Sequence, residues 1–373
     1  MRFSIILPCY NVTTYLSACM DSLFANNLSQ CEIILVNDGS KDDFFGWAEK
    51  YFSCALQEQL PVQKVNWMNS TVQIITQPNK GVSAARNAGI NHATGEYLLF
   101  VDPDDTVMPD YIATIAQEVA GNDCDFLLFG FQQIWENEDA TAIYQEILPK
   151  REYSISSTEE AIAQLLPNYI GRSLISIDHW LKTGEFNPYE EYGSVWRCVY
   201  RRELIRKDNI QFKENLCLNE DQFFNCEYIA HIQTGKSCMK ALYNYVLRSD
   251  GAMRKQWGKT LPITRQALLE EREQLCRYLR NRGYGQISYL WYAGTNVFTV
   301  FEILRRGNLA YWNEMMRYIL HPTVQKSIKE APISLRKPVY FVMILLLKLK
   351  FYVLLFLCYK FFGMLNIHFN LNK

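Results

Sequence analysis

The sequence lacks several things that would fix its class at once. Its 11 cysteines contain no CxxC pair, which excludes a zinc ribbon. The odd number and apolar settings of Cys9, Cys19, Cys124, Cys226 and Cys358 speak against a disulfide framework. A reducing compartment is expected. The opening MRFSIILPCYN meets Pro8 too early for a secretory leader, so the catalytic part is expected on the cytosolic side. Net charge is -1, which gives no ground for nucleic-acid binding. No internal repeat or low-complexity tract is found, which excludes a solenoid.

With 373 residues, 49% of them hydrophobic, the chain is long enough for two domains at about 150 residues each. Its charge is unevenly spread. From Arg305 to Lys373, 11 Lys or Arg stand against Glu314 and Glu330, so this stretch carries +9 and the residues before it -10. A basic, apolar tail on an acidic body points to an anionic surface, and to a membrane in particular.

The first 131 residues alternate short apolar runs with helical spacing. Phe3–Leu7, Glu32–Val36, Val72–Ile75, Tyr97–Val101 and Asp125–Phe131 are predicted strands. Thr14–Asn26, Val82–Asn91 and Pro109–Val119 are predicted helices. That order implies βαβ units and a Rossmann-like, mainly parallel sheet with helices on both faces. Residues 55–71 exceed what such a connection needs and are expected to be a surface insertion. Later segments predict a capped helix from Ser157, a strand-to-helix passage at Val195–Arg206, a helix at Leu218–His231 and a strand at Tyr243–Arg248. From Pro262 onward the pattern is helical, with loops near Gly283 and Gly307.

Ligands of open α/β sheets bind beyond the carboxyl ends of the strands, and the unusual clusters fall there. Asp102, Asp104 and Asp105 follow the strand at Tyr97–Val101. They either cap the next helix or hold a hard divalent ion. Asp38 is either a helix cap or an acceptor for the imide N–H of a uracil-type base. Gly81 at a helix start, with Lys80 and Arg86, makes a phosphate-facing element or a capped amphipathic helix with one salt-bridged Arg. Glu220 and Asp221 sit on the first turn of a helix, where the dipole favours anions or where a base could serve an acceptor hydroxyl.

Five segments taken together resemble the family 2 glycosyltransferases of GT-A fold. They are Ser4-Ile-Ile-Leu-Pro-Cys-Tyr-Asn11, Ile33-Ile-Leu-Val-Asn-Asp-Gly-Ser40, Asn79–Asn87, Gly95–Asp105 and Asn219-Glu-Asp221, in the family's order. The resemblance implies an inverting transfer from a UDP-sugar to an acceptor hydroxyl, as in bacterial cell-surface polysaccharide assembly. It implies a nucleotide site at Pro8, Tyr10, Asn11, Asp38, Lys80, Gly81, Arg86 and Asp102. Asp104 with Asp102 would hold Mn2+ or Mg2+, and Asp221 would be the catalytic base. Many relatives carry an acid just after the Tyr-Asn pair, where this chain has Val12-Thr13-Thr14. The Gln-x-x-Arg-Trp motif of the processive synthases is missing, so a single addition is expected. The resemblance also implies a boundary scheme: residues 1–250 catalytic, with 1–131 nucleotide-binding and 132–250 on the acceptor side, then a helical region at 251–336.

The tail, 337–373, is expected to associate with the membrane. Pro338–Phe362 is apolar but broken by Lys348, Lys350 and Lys360. An interfacial helix or helical hairpin is expected before a single span, and a span before a dimer surface. The acceptor would then be a glycan or lipid-linked glycan at the cytoplasmic side of the inner membrane. Two rival readings are a nucleotidyltransferase and an inactive nucleotide-sugar-binding protein. The first needs a Gly-rich basic loop after the first strand, which Leu7-Pro-Cys-Tyr-Asn11 does not supply. The second is opposed by the intact set of Asp102, Asp104 and Asp221.

Overall fold

Two strands of nearly unbroken apolar sequence set the frame. In Phe3–Cys9 (β1) and Cys31–Asp38 (β2) every residue is buried, as expected for parallel strands covered on both faces. The computed structural model describes residues 2–120, 124–136, 142–185, 191–248, 261–284, 288–306 and 309–364. Those residues fall into two compact units, one of Met1–Leu165 with Tyr192–Ser249 and one of Leu166–Glu191 with Asp250–Lys373. The stretch 166–191 therefore groups with the helical unit, and the tail belongs to that same unit rather than standing apart.

In the first unit β1 leads into Thr13–Phe24 (α1), which buries Leu16, Cys19, Met20 and Leu23, one stripe at helical spacing. β2 leads into Phe44–Phe52 (α2), where the Asp43 carboxylate accepts the Gly46 N–H as an N-cap does. Val62–Trp67 (β3) and Ser70–Gln77 (β4) form an antiparallel hairpin whose turn has Met68 at φ +51. The expected surface insertion at 55–71 is thus corrected: its second half supplies an edge strand. Val82–His92 (α3), Tyr97–Phe100 (β5), Thr106–Val107 (β6) and Tyr111–Val119 (α4) follow. Beyond these come Phe126–Glu136 (β7), Ala142–Ile147 (β8), Ser154–Ile155 (β9) and the short Thr158–Glu160 (α5). After Leu174–Thr183 (α6), which lies in the second unit, the first unit resumes. It closes with Cys198–Arg201 (β10), Arg202–Lys207 (α7), Glu220–Ile229 (α8) and Gly235–Leu247 (β11).

The strand order is β3-β4-β2-β1-β5-β10-β7-β11-β6, with β8 on β7 and β9 on β11. Strands β4, β2, β1 and β5 are mutually parallel. β10 runs antiparallel to both β5 and β7, while β7 and β11 pair in parallel. The parallel set thus lies in the first half of the unit, and the later strands make the sheet mixed. Chain order reverses at β1, which pairs with β2 on one side and β5 on the other. Such a switch point opens a crevice at the carboxyl ends of the strands. At the opposite end Glu32 ties three elements together. Its Oε1 accepts from Ser4 Oγ at 2.6 Å, Thr94 N at 2.6 Å and Gly95 N at 3.1 Å.

The second unit is helical among its described residues. Besides α6 it contains Leu261–Asn281 (α9), Ala293–Arg306 (α10), Trp312–Ile319 (α11), Pro322–Glu330 (α12), Pro338–Lys348 (α13) and Tyr352–Met364 (α14). Trp180 of α6 is fully buried against Phe298 and Tyr340. The apolar stretch from Pro338 to Phe362 is two helices, broken at Leu349-Lys350-Phe351 with Lys350 at φ +62. Lys348 is no polar flaw in this segment. Its Nζ donates to the Lys329 and Ala331 carbonyls at 2.9 and 2.8 Å, satisfying the open end of α12. Among the described residues no helix is long and apolar enough to cross a membrane. Gly283 does mark a turn, at φ +95. Gly307, 251–260 and the tail's last residues, 365–373, lie outside the described residues.

Candidate active site

The carboxyl ends of β1, β2, β4 and β5 bring the singled-out clusters together. Asp38 ends β2 and is buried. Its Oδ1 accepts from Gln77 Nε2 at 2.7 Å and Lys80 N at 3.0 Å, and its Oδ2 accepts from Gly81 N at 2.8 Å. The helix-cap reading of Asp38 therefore needs correction. It does not cap the following helix, and its oxygens hold the turn that starts α3. Gly81 has φ +91, a conformation that favours glycine. Gly39 lets the two turns meet, since a Cβ there would lie 2.6 Å from Asn79 N.

That turn leaves Lys80 exposed, and Tyr10, just past the end of β1, is 41% exposed. Asn11, at φ +55, accepts the Lys41 N–H at 2.7 Å and so fixes the loop after β2. Pro8 is not an open pocket wall, because it is buried in β1 opposite Val36. Asp42 Oδ2 accepts the Thr13 N–H at 3.0 Å, capping α1 from the neighbouring loop where Val12 cannot.

For Arg86 the structure realises the salt-bridged reading. The side chain is buried, not phosphate-facing. Nη1 donates to Asp221 Oδ1 at 2.6 Å and Nη2 to Asp102 Oδ1 at 3.0 Å, with Glu220 Oε1 3.7 Å away. One cation thus joins the end of β5 to the first turn of α8. The guanidinium also lies 5.3 Å from the Phe212 ring centroid. Asn87, one residue on, accepts from Phe212 N and donates to Phe212 O, both at 2.9 Å. Burial, partly offset by Arg86 and reinforced by Glu220 and Asp102, pushes the Asp221 carboxyl up to about 7. Its Oδ2 accepts the Val195 N–H at 3.4 Å, and 20% of the side chain remains exposed. A carboxylate held this way can accept a proton near neutral pH.

The Asp102–Asp105 turn divides its carboxylates. Asp105 points inward, taking Tyr243 OH at 2.9 Å and Val246 N at 2.8 Å. Burial and the two neighbouring carboxylates push it well above the usual range. Asp105 is therefore no metal ligand. Asp104 is 45% exposed beside Arg248, whose guanidinium also donates to the Asp104 carbonyl. Asp102 keeps 26% of its side chain open and Oδ2 outside the Arg86 contact. Among the described residues no three His, Cys, Asp or Glu side chains converge. Two open carboxylates at a strand end still fit a hard divalent ion whose shell is finished by phosphate oxygens and water. They do not form a closed protein cage.

Sequence reasoning missed Tyr243, Gln77 and Arg248. Tyr243 OH accepts the Asp102 N–H at 3.0 Å while donating to Asp105, so β11 sets the geometry of a turn 138 residues earlier. The strand at Tyr243–Arg248 was legible, but nothing in it signals that contact.

Residues 4–173 match the family described as Glycosyl transferase family 2. The "Uncharacterized glycosyltransferase EpsJ" of Bacillus subtilis is 31% identical over 242 residues, 65% of this chain and 60% of that protein. This chain thus spans less than two thirds of that relative's length. The "Uncharacterized glycosyltransferase YibD" of Escherichia coli is 29% identical, covering 71% of this chain and 67% of its own. Among solved structures, S. aureus TarS 1–349 in complex with UDP-GlcNAc superposes with a TM-score of 0.57 at 17% identity. That match covers 99% of this chain and 93% of that one, and shows a shared fold. Residues 4–173 thus carry the family 2 glycosyltransferase pattern, on an N-terminal unit of GT-A fold.

Proposed function

We propose that this enzyme moves a hexosyl or N-acetylhexosaminyl group from a UDP-sugar to an acceptor hydroxyl with inversion at the anomeric carbon. The observation that carries the reading is the Arg86-centred cluster, in which the end of the donor-side strand β5 and the carboxylate of Asp221 share one guanidinium. A base must sit within reach of the sugar's anomeric carbon while the nucleotide is held elsewhere, and this cluster links those two places. The nucleotide would lie along the β1–β2 crevice, with Tyr10 against the base and Lys80 beside the diphosphate. Asp38 would act by holding the Lys80-Gly81 turn. TarS captured with UDP-GlcNAc supports a uridine nucleotide as the donor's carrier.

In the reaction the acceptor oxygen forms its bond to the anomeric carbon from the face opposite the leaving group. The bond from that carbon to the diphosphate oxygen breaks, and UDP departs with the bonding pair. Asp221 takes the acceptor's proton. Asp104 and Asp102 would hold Mn2+ or Mg2+, which neutralises charge on the leaving diphosphate. Lys80 adds a second cation from the protein side. The acceptor would be a glycan or lipid-linked glycan of capsule, exopolysaccharide or O-antigen assembly at the cytoplasmic face of the inner membrane. The basic tail supports that placement.

The test is a panel of nucleotide sugars scored by nucleotide release, run on wild type and Asp221→Asn. A UDP-sugar should be preferred, and the variant should lose roughly 10²–10⁴ in turnover while donor affinity stays within a few-fold. Near-normal transfer by Asp221→Asn would remove it as base, leaving Glu220 as the next choice. UDP affinity that is equal with EDTA and with Mn2+ would remove the metal from Asp104 and Asp102.

A further inference from the structure

The last two helices bury one stripe and expose another, and the exposed stripe is apolar as well. Inward, α13 buries Tyr340, Met343, Ile344 and Leu347. Outward, Val342 and Leu345 on α13, Leu349 and Phe351 at the turn, and Leu354 and Leu357 on α14 are 38–55% exposed. The outward face of a helix in a water-facing unit is ordinarily polar, and an apolar patch of this kind marks a contact surface.

Charge identifies what it meets. From Ala331 to Lys373 there is no acid, against Arg336, Lys337, Lys348, Lys350, Lys360 and Lys373. Arg336 and Lys350 are exposed beside the apolar stripe. A second copy of this chain packed face to face would set those cations against each other. An anionic lipid surface offers acyl chains to the stripe and headgroups to the cations. Length decides how deep the contact goes. At 1.5 Å per residue, helices of 11 and 13 residues reach only about 16–20 Å, short of the roughly 30 Å hydrocarbon core.

We propose that the outward faces of α13 and α14 form a docking surface for an anionic bilayer, lying in its headgroup–acyl boundary without crossing it. This goes beyond the transfer reaction and does not depend on the donor or on Asp221. The experiment uses the full chain with vesicles of phosphatidylcholine alone and of phosphatidylcholine with phosphatidylglycerol. Wild type should co-sediment with the anionic vesicles only, and high salt should release part of it. Leu345→Ser combined with Leu357→Ser should weaken binding roughly tenfold or more. Lys350→Glu should weaken it at low salt and little at high salt. Both variants should keep the wild-type thermal transition and donor hydrolysis in solution, because the altered side chains face outward. Wild type that ignores both vesicle types overturns the proposal. So does a wild-type dimer in analytical ultracentrifugation that the double substitution dissolves while vesicle binding is unchanged. Unfolding of both variants would likewise overturn it, by showing that the chain itself covers this face.

Discussion

At the scale of single residues the site turns on one buried cation between three carboxylates. Arg86 is desolvated, yet Asp221, Asp102 and Glu220 hold its proton more firmly than usual. In return it opposes the rise that burial imposes on Asp221. As the proposed base, Asp221 would act in its ionised form, so kcat should climb as pH rises through about 7 and level off above it. Asp221→Asn should erase that limb along with most of the rate. Arg86→Gln takes away the buried cation that favours the ionised form, so the limb should move to higher pH, and Arg86→Lys should move it less. The pH profile of kcat for the three proteins checks this. An unmoved limb in Arg86→Gln would mean that Arg86 acts only as a structural tie. The sequence could not have assigned this role. Arg86 and Asp221 lie 135 residues apart, so the local pattern allowed a salt-bridged Arg as readily as a phosphate contact but could not name its partner.

At the scale of elements the strands were more legible than their joints. β1, β2 and β5 announce themselves as apolar runs ended by turn residues, because strands covered on both faces have little room for polar side chains. The β3–β4 hairpin was missed since β3 is an edge strand with one buried residue, Val65, and so carries no strong period. Glu32 was read as an ordinary strand residue, although it fastens β2 to Ser4 of β1 and to the Thr94-Gly95 entry of β5. Burial opposes its charge, but hydrogen bonds from Ser4 and Thr94 and the nearby Arg2 hold its pKa below the usual glutamate value. A lowered folded-state pKa contributes stability that is present above the unfolded value and is lost as pH falls through the folded one. Glu32→Gln should therefore cost about 1–3 kcal/mol at neutral pH. The deficit should shrink as the solution is acidified below about pH 4. Urea unfolding of both proteins across that range measures it. A deficit that stays constant with pH would assign the loss to shape instead of charge.

For the whole molecule, the division into units was only partly written in local pattern. The first unit follows from alternating strands and helices, and its five motifs fall at the sheet's switch point for the reason any open α/β sheet dictates. The grouping of 166–191 with the C-terminal helices depends on Trp180 meeting Phe298 and Tyr340, which no periodicity reveals. The same contact changes what the tail is. An appendage could be cut off harmlessly at Arg336, as its composition alone suggests. Here that cut would take Tyr340, Ile344, Leu347, Leu355 and Phe356 out of the core of the second unit, where each is at most 4% exposed. Emptying one such site costs about 2–5 kcal/mol, so losing five is comparable to or larger than the roughly 5–15 kcal/mol that typically holds a domain. A chain ending at Arg336 should therefore lose the cooperative unfolding of its second unit. Trypsin should cut 261–336 roughly tenfold faster or more than in the full chain. The core of the first unit, built from residues such as Ile5, Leu35, Leu99 and Tyr243, should keep its protection. Equal resistance of the two chains between 261 and 336 would make the last two helices an appendage after all. The outward substitutions at Leu345 and Leu357 should leave that resistance unchanged, because opposite faces of the same helices do different work: one completes a core, the other meets what lies outside it.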